Sequence, residues 1–105
     1  CLYVYTVEQW QAVYEKLSTL PSTNKDARMY QRMMLSKAAE CEMDGQGRIL
    51  IPSSLVALAG LEKECLIIGV ANHLEIWSKE RWERLEEEQS ASFEEAAEHL
   101  SGLMG

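Results

Sequence analysis

Met43-Asp44-Gly45-Gln46-Gly47-Arg48-Ile49-Leu50-Ile51-Pro52 lies near the middle of a 105-residue chain, and its reading decides how the rest is arranged. Glycine tolerates positive φ, so Gly45 and Gly47 suit a tight strand-to-strand turn that Asp44 can cap from its side chain. Ala39 to Met43 reads as the strand leading into the turn. Ile49 and Ile51 alternate as a short strand leading out, and Pro52 ends the ladder because it has no N–H to give. Arg48 then stands at the mouth of the turn, its guanidinium free to fork onto a phosphate or the edge of a guanine.

Working outward toward the C-terminus, Ser53 or Ser54 can cap a short helix through Leu55, Val56, Leu58 and Ala59, and Gly60 can close it. A β-rich run from Glu64 to Val70 turns at Ala71-Asn72-His73 into Leu74 to Ser78, and a helix starts near Lys79. In their joint order, four strings resemble the MraZ family: Asp44-Gly45-Gln46-Gly47-Arg48-Ile49-Leu50-Ile51-Pro52, Ala59-Gly60-Leu61-Glu62-Lys63-Glu64, Leu74-Glu75-Ile76-Trp77 and Glu80-Arg81-Trp82-Glu83. Ile68-Gly69-Val70, between the second and third, belongs to the same pattern. A turn of the form D-x-x-G-R is weak evidence alone; followed by I-x-I-P and a late E-I-W it is specific, and the match spans nearly the whole chain.

The family comprises bacterial transcriptional regulators of the division and cell-wall gene cluster, built from two SpoVT–AbrB-type modules. The resemblance implies a mixed α/β fold, the SpoVT–AbrB swapped-hairpin β-barrel with peripheral helices, in which two modules interlock their hairpins into one closed sheet. It also implies DNA binding through the arginine of the D-x-x-x-R turn, here Arg48, with Gln46 beside it as the weaker candidate. Asp44 would hold the turn and orient Arg48, while Gly45, Gly47 and Pro52 fix the backbone. An ion pair from Arg48 to Asp44 or to a C-terminal glutamate is the structural alternative. The implied partners are repeated promoter sites on DNA and further copies of the chain in a ring-shaped homo-oligomer.

Working outward toward the N-terminus, residues 2–6 read as a strand, Thr6 with Gln9 forms a capping box, and Trp10, Val13, Tyr14 and Leu17 share one helical face before Pro21. Shifting this segment by 72 residues lays Leu2 on Leu74, Val4 on Ile76, Tyr5 on Trp77, Thr6 on Ser78, Trp10 on Trp82 and Glu15 on Glu87. Apolar pattern and cap both recur, the mark of an internal repeat. The later copy has about thirty residues of turn, strands and short helix before Leu74, whereas only Cys1 precedes Leu2. The expected organisation is therefore the tail end of a first module in 1–20, a linker and helix in 21–37, a second module in 38–84 and an acidic helical tail in 85–105. The first half-barrel, with its own Gly-Arg turn, is expected to be incomplete.

Pro21-Ser22-Thr23-Asn24 reads as a polar linker, with Asn24 or Thr23 capping a helix over Asp26 to Ser36 that turns Ala27, Tyr30 and Met34 inward. Its methionines fit adaptable core or subunit-interface packing. Arg28, Arg32 and Lys37 can offer phosphate contacts but need no role beyond solvated helix charge. Beyond Leu85 the chain reads as two helical pieces broken near Ser90-Ala91-Ser92, Ser92 and Glu95 matching a capping box. Phe93, Ala96, Ala97, Leu100 and Leu103 form an apolar stripe that suits docking on this domain or a neighbouring subunit. Glutamates on its polar face argue against a membrane surface.

The net charge of −7 is unevenly spread. Residues 79–105 hold eight acids and three bases, −5, and residues 1–78 hold nine acids and seven bases, −2. The turn surface therefore need not be negative. Three widely spaced cysteines (Cys1, Cys41 and Cys65) without a C-x-x-C pair exclude a disulfide framework or zinc motif and fit a reducing cytoplasm. Cys41 and Cys65 are expected to be small buried groups. No run approaches a membrane span and no signal peptide opens the chain. His73 and His99 are the only histidines, neither adjoins a nucleophile motif, and Gly45 and Gly47 lack the lysine-serine of a phosphate loop. An enzyme, a cofactor, a metal and a small-molecule substrate are all unexpected. Together with the resemblance, which implies DNA binding and a nucleoid setting, the expectation is a cytoplasmic, nucleoid-associated DNA-binding regulator. The alternative is an oligomerisation module without direct DNA contact, since the same barrel serves proteins that mainly assemble.

Overall fold

Strand β1 (Leu2–Val4) runs into Thr6, whose hydroxyl accepts from Gln9 N–H while the Gln9 side chain accepts from Thr6 N–H, both at 3.1 Å. This capping box satisfies two donors that helix geometry would leave bare and sets the start of α1 (Val7–Ser18). Asn24 caps α2 (Lys25–Lys37) by accepting from Ala27 N–H. The Gln31 amide donates to Leu17 O at 2.6 Å, tying α2 to the end of α1. The computed structural model describes residues 1–104 and continues with α3 (Ser53–Ala59), β2 (Cys65–Val70), β3 (His73–Ser78) and α4 (Lys79–Gln89). A 3-10 turn at Ser90–Ser92 passes into α5 (Phe93–Met104). The helix at Lys79, the hairpin before it and the two-part tail stand where the sequence pattern put them.

The three strands form one antiparallel sheet in the order β1-β3-β2. Ile76 on the central strand faces Leu2 on one side and Ile67 on the other, and is buried. With Leu17, Ala27 and Ala59 it makes up a small apolar core. Ser78 is buried too, and caps α4 by accepting from Arg81 N–H at 3.1 Å. Val70 pairs with His73, so only Ala71 and Asn72 make the hairpin turn, and Ala71 takes φ +52°. His73 is therefore a strand residue, not a turn residue.

Several expectations are corrected. The sheet is open and is not a closed barrel. Residues 39–43 and 49–51 are not strands: Asp44 N–H donates to Arg48 O and Gly47 N–H to Asp44 O, and no ladder continues beyond them. The reason is packing. Met43 and Leu50 are 69% and 89% exposed, so neither arm meets an apolar face, and a lone two-stranded hairpin is marginal in water. Neither Ser53 nor Ser54 caps α3; Pro52 occupies the cap position with no side-chain hydrogen bond. Gly60 does close α3, at φ +65°. Cys41 and Cys65 are exposed, not buried. Tyr30 is half exposed rather than inward, although Ala27 beside it is buried. The Cα radius of gyration, 16.5 Å, exceeds the roughly 13 Å of a close-packed chain this long. Much apolar surface is thus left uncovered within one copy.

Candidate nucleic-acid interface

The Asp44–Arg48 turn is organised by a single carboxylate. Asp44 Oδ1 accepts from the backbone N–H groups of Gln46 and Arg48, both at 2.9 Å. Its Oδ2 accepts from Arg48 Nε at 3.0 Å. The chain can close so tightly because Gly47 adopts φ +78°, a left-handed conformation that costs side-chain-bearing residues energy. Gly45 does not: its φ is not positive, and a Cβ built there meets nothing within 4 Å. Only one of the two glycines is conformationally required.

Arg48 N–H donation, then Gln46 N–H donation, holds the Asp44 carboxyl below the usual aspartate range. An aspartate that is always ionised near neutral pH is a fixed anchor for a guanidinium. Arg48 spends only Nε on that anchor; its side chain is 71% exposed, and its terminal amino groups have no protein acceptor among the described residues. The forked end of the guanidinium is therefore oriented, charged and open, the geometry suited to two parallel bonds to a phosphate or a guanine edge. The ion-pair alternative for Arg48 is realised toward Asp44, yet it uses the one nitrogen that leaves the fork free. Gln46 lies exposed at the turn tip with its backbone committed to Asp44. Pro52 sits at the far end of the outgoing arm as the first boundary of α3.

Two arrangements carry residues to which the sequence reading gave no role. Glu75 accepts from Trp77 Nε1 at 2.8 Å and pairs with His73 Nε2 at 3.2 Å, while Tyr3 and Tyr5 pack their rings against His73. The signal was available: residues 73, 75 and 77 share one face of a strand, with an acid between two possible donors. The indole N–H, first, and then His73 hold the Glu75 carboxyl below the usual glutamate range. The second arrangement places the Arg81 guanidinium over Gly60, with Nη1 reaching Leu58 O at 3.5 Å at the end of α3. That contact joins α4 to α3, and no local pattern reports a contact across 23 residues.

No described helix is long and apolar enough to cross a membrane. A protein-family model described as "MraZ protein, putative antitoxin-like" matches residues 34–103. A protein named Transcriptional regulator MraZ from Caldanaerobacter subterraneus subsp. tengcongensis is 54% identical over 103 residues, covering 98% of this chain and 72% of that protein. Proteins of the same name from Thermoanaerobacter sp. (strain X514) and Thermoanaerobacter pseudethanolicus are each 52% identical over the same shares.

Proposed function

The chain belongs to the MraZ family, and we propose that it is a transcriptional regulator that binds DNA sequence-specifically through the Asp44–Arg48 turn. The observation that carries this reading is the guanidinium anchored by Nε to Asp44 with its forked end turned to solvent. Gln46 at the tip is the second contact residue, and Gly47 and Pro52 shape the backbone that presents both. The target is the division and cell-wall gene cluster, and the setting is the nucleoid in the cytoplasm.

One such turn offers little contact, and a chain of net charge −7 is not drawn to DNA as a whole. Affinity therefore comes from several copies engaging repeated short sites, each further contact being intramolecular once the first is made. The open sheet and the unpaired arms of residues 39–43 and 49–51 fit completion by other strands in a swapped-hairpin barrel, within a ring of copies. Residues 38–84 are the module that carries the turn, and residues 1–20 are the end of a preceding one.

Salt titration of binding to promoter DNA from that gene cluster tests the reading. Log affinity is expected to fall linearly with log salt, and Arg48→Ala to flatten the slope by about one per engaged turn. Weak binding with no salt dependence, unaffected by Arg48→Ala, would leave the assembly module without DNA contact as the function.

A further inference from the structure

We propose that the acidic helix α5 of one copy docks against the outward face of the basic helix α2 of a second copy. Helix α5 has no buried residue, and Phe93 and Leu103 are 73% and 82% exposed. Phe93, Ala97, Leu100 and Met104 follow one another at i, i+4, i+7 and i+11, a continuous apolar seam. Glu94 and Glu98 run along one side of it, while Glu95 lies on the back of the helix. With no lysine or arginine in the helix, α5 carries −3 with His99 neutral.

That charge selects the occupant. A nucleic acid or an anionic lipid surface is repelled by α5 and by α4 before it, which carries −2. A basic helix with apolar groups of its own is what fits. Among the described helices of this chain, α2 is the one with net positive charge: Lys25, Arg28, Arg32 and Lys37 against Asp26, +3. Its buried side is the one holding Ala27, and the opposite side presents Met29 and Met33, both exposed, beside Lys25 and Arg32. The two helices, α5 and α2, are 12 and 13 residues long, so their apolar faces can lie together along most of their length while the glutamates in the first half of α5 meet bases of α2. Methionines suit such a contact, because unbranched thioethers adapt to a facing aromatic ring such as that of Phe93.

Neither face is covered in its own chain, although both are present in every copy. A contact between unlike faces repeats head to tail and closes into a ring where the rotation allows. The proposal gives the multivalent assembly described above a contact surface, and rests on that reading.

The test is charge reversal with reciprocal rescue in the full chain, read by sedimentation velocity with far-UV circular dichroism to verify the helices. Glu94→Lys with Glu98→Lys in one variant, and Lys25→Glu with Arg32→Glu in another, are each expected to weaken self-association roughly tenfold or more. Mixing the two variants is expected to restore association, because the reversed faces now complement each other. Wild-type association is expected to weaken as salt rises from about 0.1 M to about 1 M, where the screening length shrinks from ~10 Å to ~3 Å. This arm decides the matter alone should a variant fail to fold. Assembly unchanged in both variants and at high salt overturns the α2–α5 contact while leaving the multivalent reading intact. A wild-type chain that stays monomeric overturns both. Loss of association in each variant without recovery on mixing overturns docking of α5 on α2 between copies.

Discussion

Tyr3 stands directly opposite Glu75 across the β1–β3 ladder, and the two are 72 residues apart in the chain. The same offset relates Leu2 to Leu74 and Val4 to Ile76, yet in the sheet Leu2 faces Ile76 and Val4 faces Leu74. A pair of equivalent antiparallel strands crossing at a local two-fold axis gives this exchange, with the axis between Tyr3 and Glu75. Where each strand passes into its helix stands a hydroxyl cap at the same offset: Thr6 accepts from Gln9 N–H and Ser78 from Arg81 N–H.

The equivalence has an energetic corollary. Thr6→Ala and Ser78→Ala are each expected to destabilise the chain by about 1 kcal/mol, the usual worth of an N-cap. Ser78→Ala is expected to cost more, because Ser78 is buried and leaves Arg81 N–H without water to replace the lost acceptor. Urea denaturation of the two variants checks the order, and a Thr6→Ala effect larger than that of Ser78→Ala would contradict it.

The two glycines of the Arg48 turn should respond oppositely to alanine. Gly47 at φ +78° strains any side chain, so Gly47→Ala is expected to loosen the turn by roughly 1 kcal/mol. Gly45 has ordinary φ and open space, so Gly45→Ala is expected to be neutral or to stabilise by up to about 1 kcal/mol through the unfolded chain. Amide exchange at Gln46 and Arg48, whose N–H groups Asp44 holds in both variants, reads the difference directly.

Local chemistry made most of this fold legible. Thr6 with Gln9, Asn24, Gly60 and the strand-to-helix step at Ser78 are short-range signals, and each element they bound stands where they put it. The arms around the turn were misread because Ile49 and Ile51 alternate as a strand does, while a ladder also needs a partner that alternation cannot supply. Cys41 and Cys65 failed similarly, since burial depends on which surfaces meet. At the site, Asp44 was expected to cap the turn and orient Arg48, and its carboxylate accepts from Gln46 N–H, Arg48 N–H and Arg48 Nε. The Glu75 cluster was legible only in hindsight, from three alternating residues whose roles depend on Tyr3 of β1 and Tyr5 just beyond it.

That cluster gives a pH dependence of definite sign. Glu75 is lowered chiefly by the Trp77 indole N–H, so the folded sheet favours its charged form. Its stabilisation is therefore complete above the ordinary glutamate pKa of about 4.3 and is lost as pH falls through the lower folded value. The Trp77 indole proton resonance is expected to shift with that acid midpoint. In Glu75→Gln, where an uncharged acceptor remains, the shift should disappear while the indole stays bonded. A Trp77 resonance indifferent to pH in the wild type would remove Glu75 as its partner.

Asp44 and Arg48 yield the sharpest separation between holding a residue and making contact. Arg48→Ala removes the exposed fork itself, so DNA affinity should fall by about 1–3 kcal/mol for each turn engaged. Folding stability should stay within about 0.5 kcal/mol, because Arg48 projects to solvent. Asp44→Ala leaves the guanidinium in place but frees two backbone N–H groups and Nε, so it should weaken DNA binding less than Arg48→Ala does. Asp44→Asn keeps a neutral acceptor for the backbone and should fall between Asp44→Ala and wild type. The charged carboxylate is the form the turn binds, so turn order should be complete above the ordinary aspartate pKa of about 3.9 and fade as pH drops below it. The Gln46 and Arg48 amide resonances should report that fade together, and Asp44→Asn should abolish it. Equal losses of affinity for Asp44→Asn and Arg48→Ala, with the turn amides unmoved, would make Asp44 a contact to DNA in its own right and not the residue that aims Arg48.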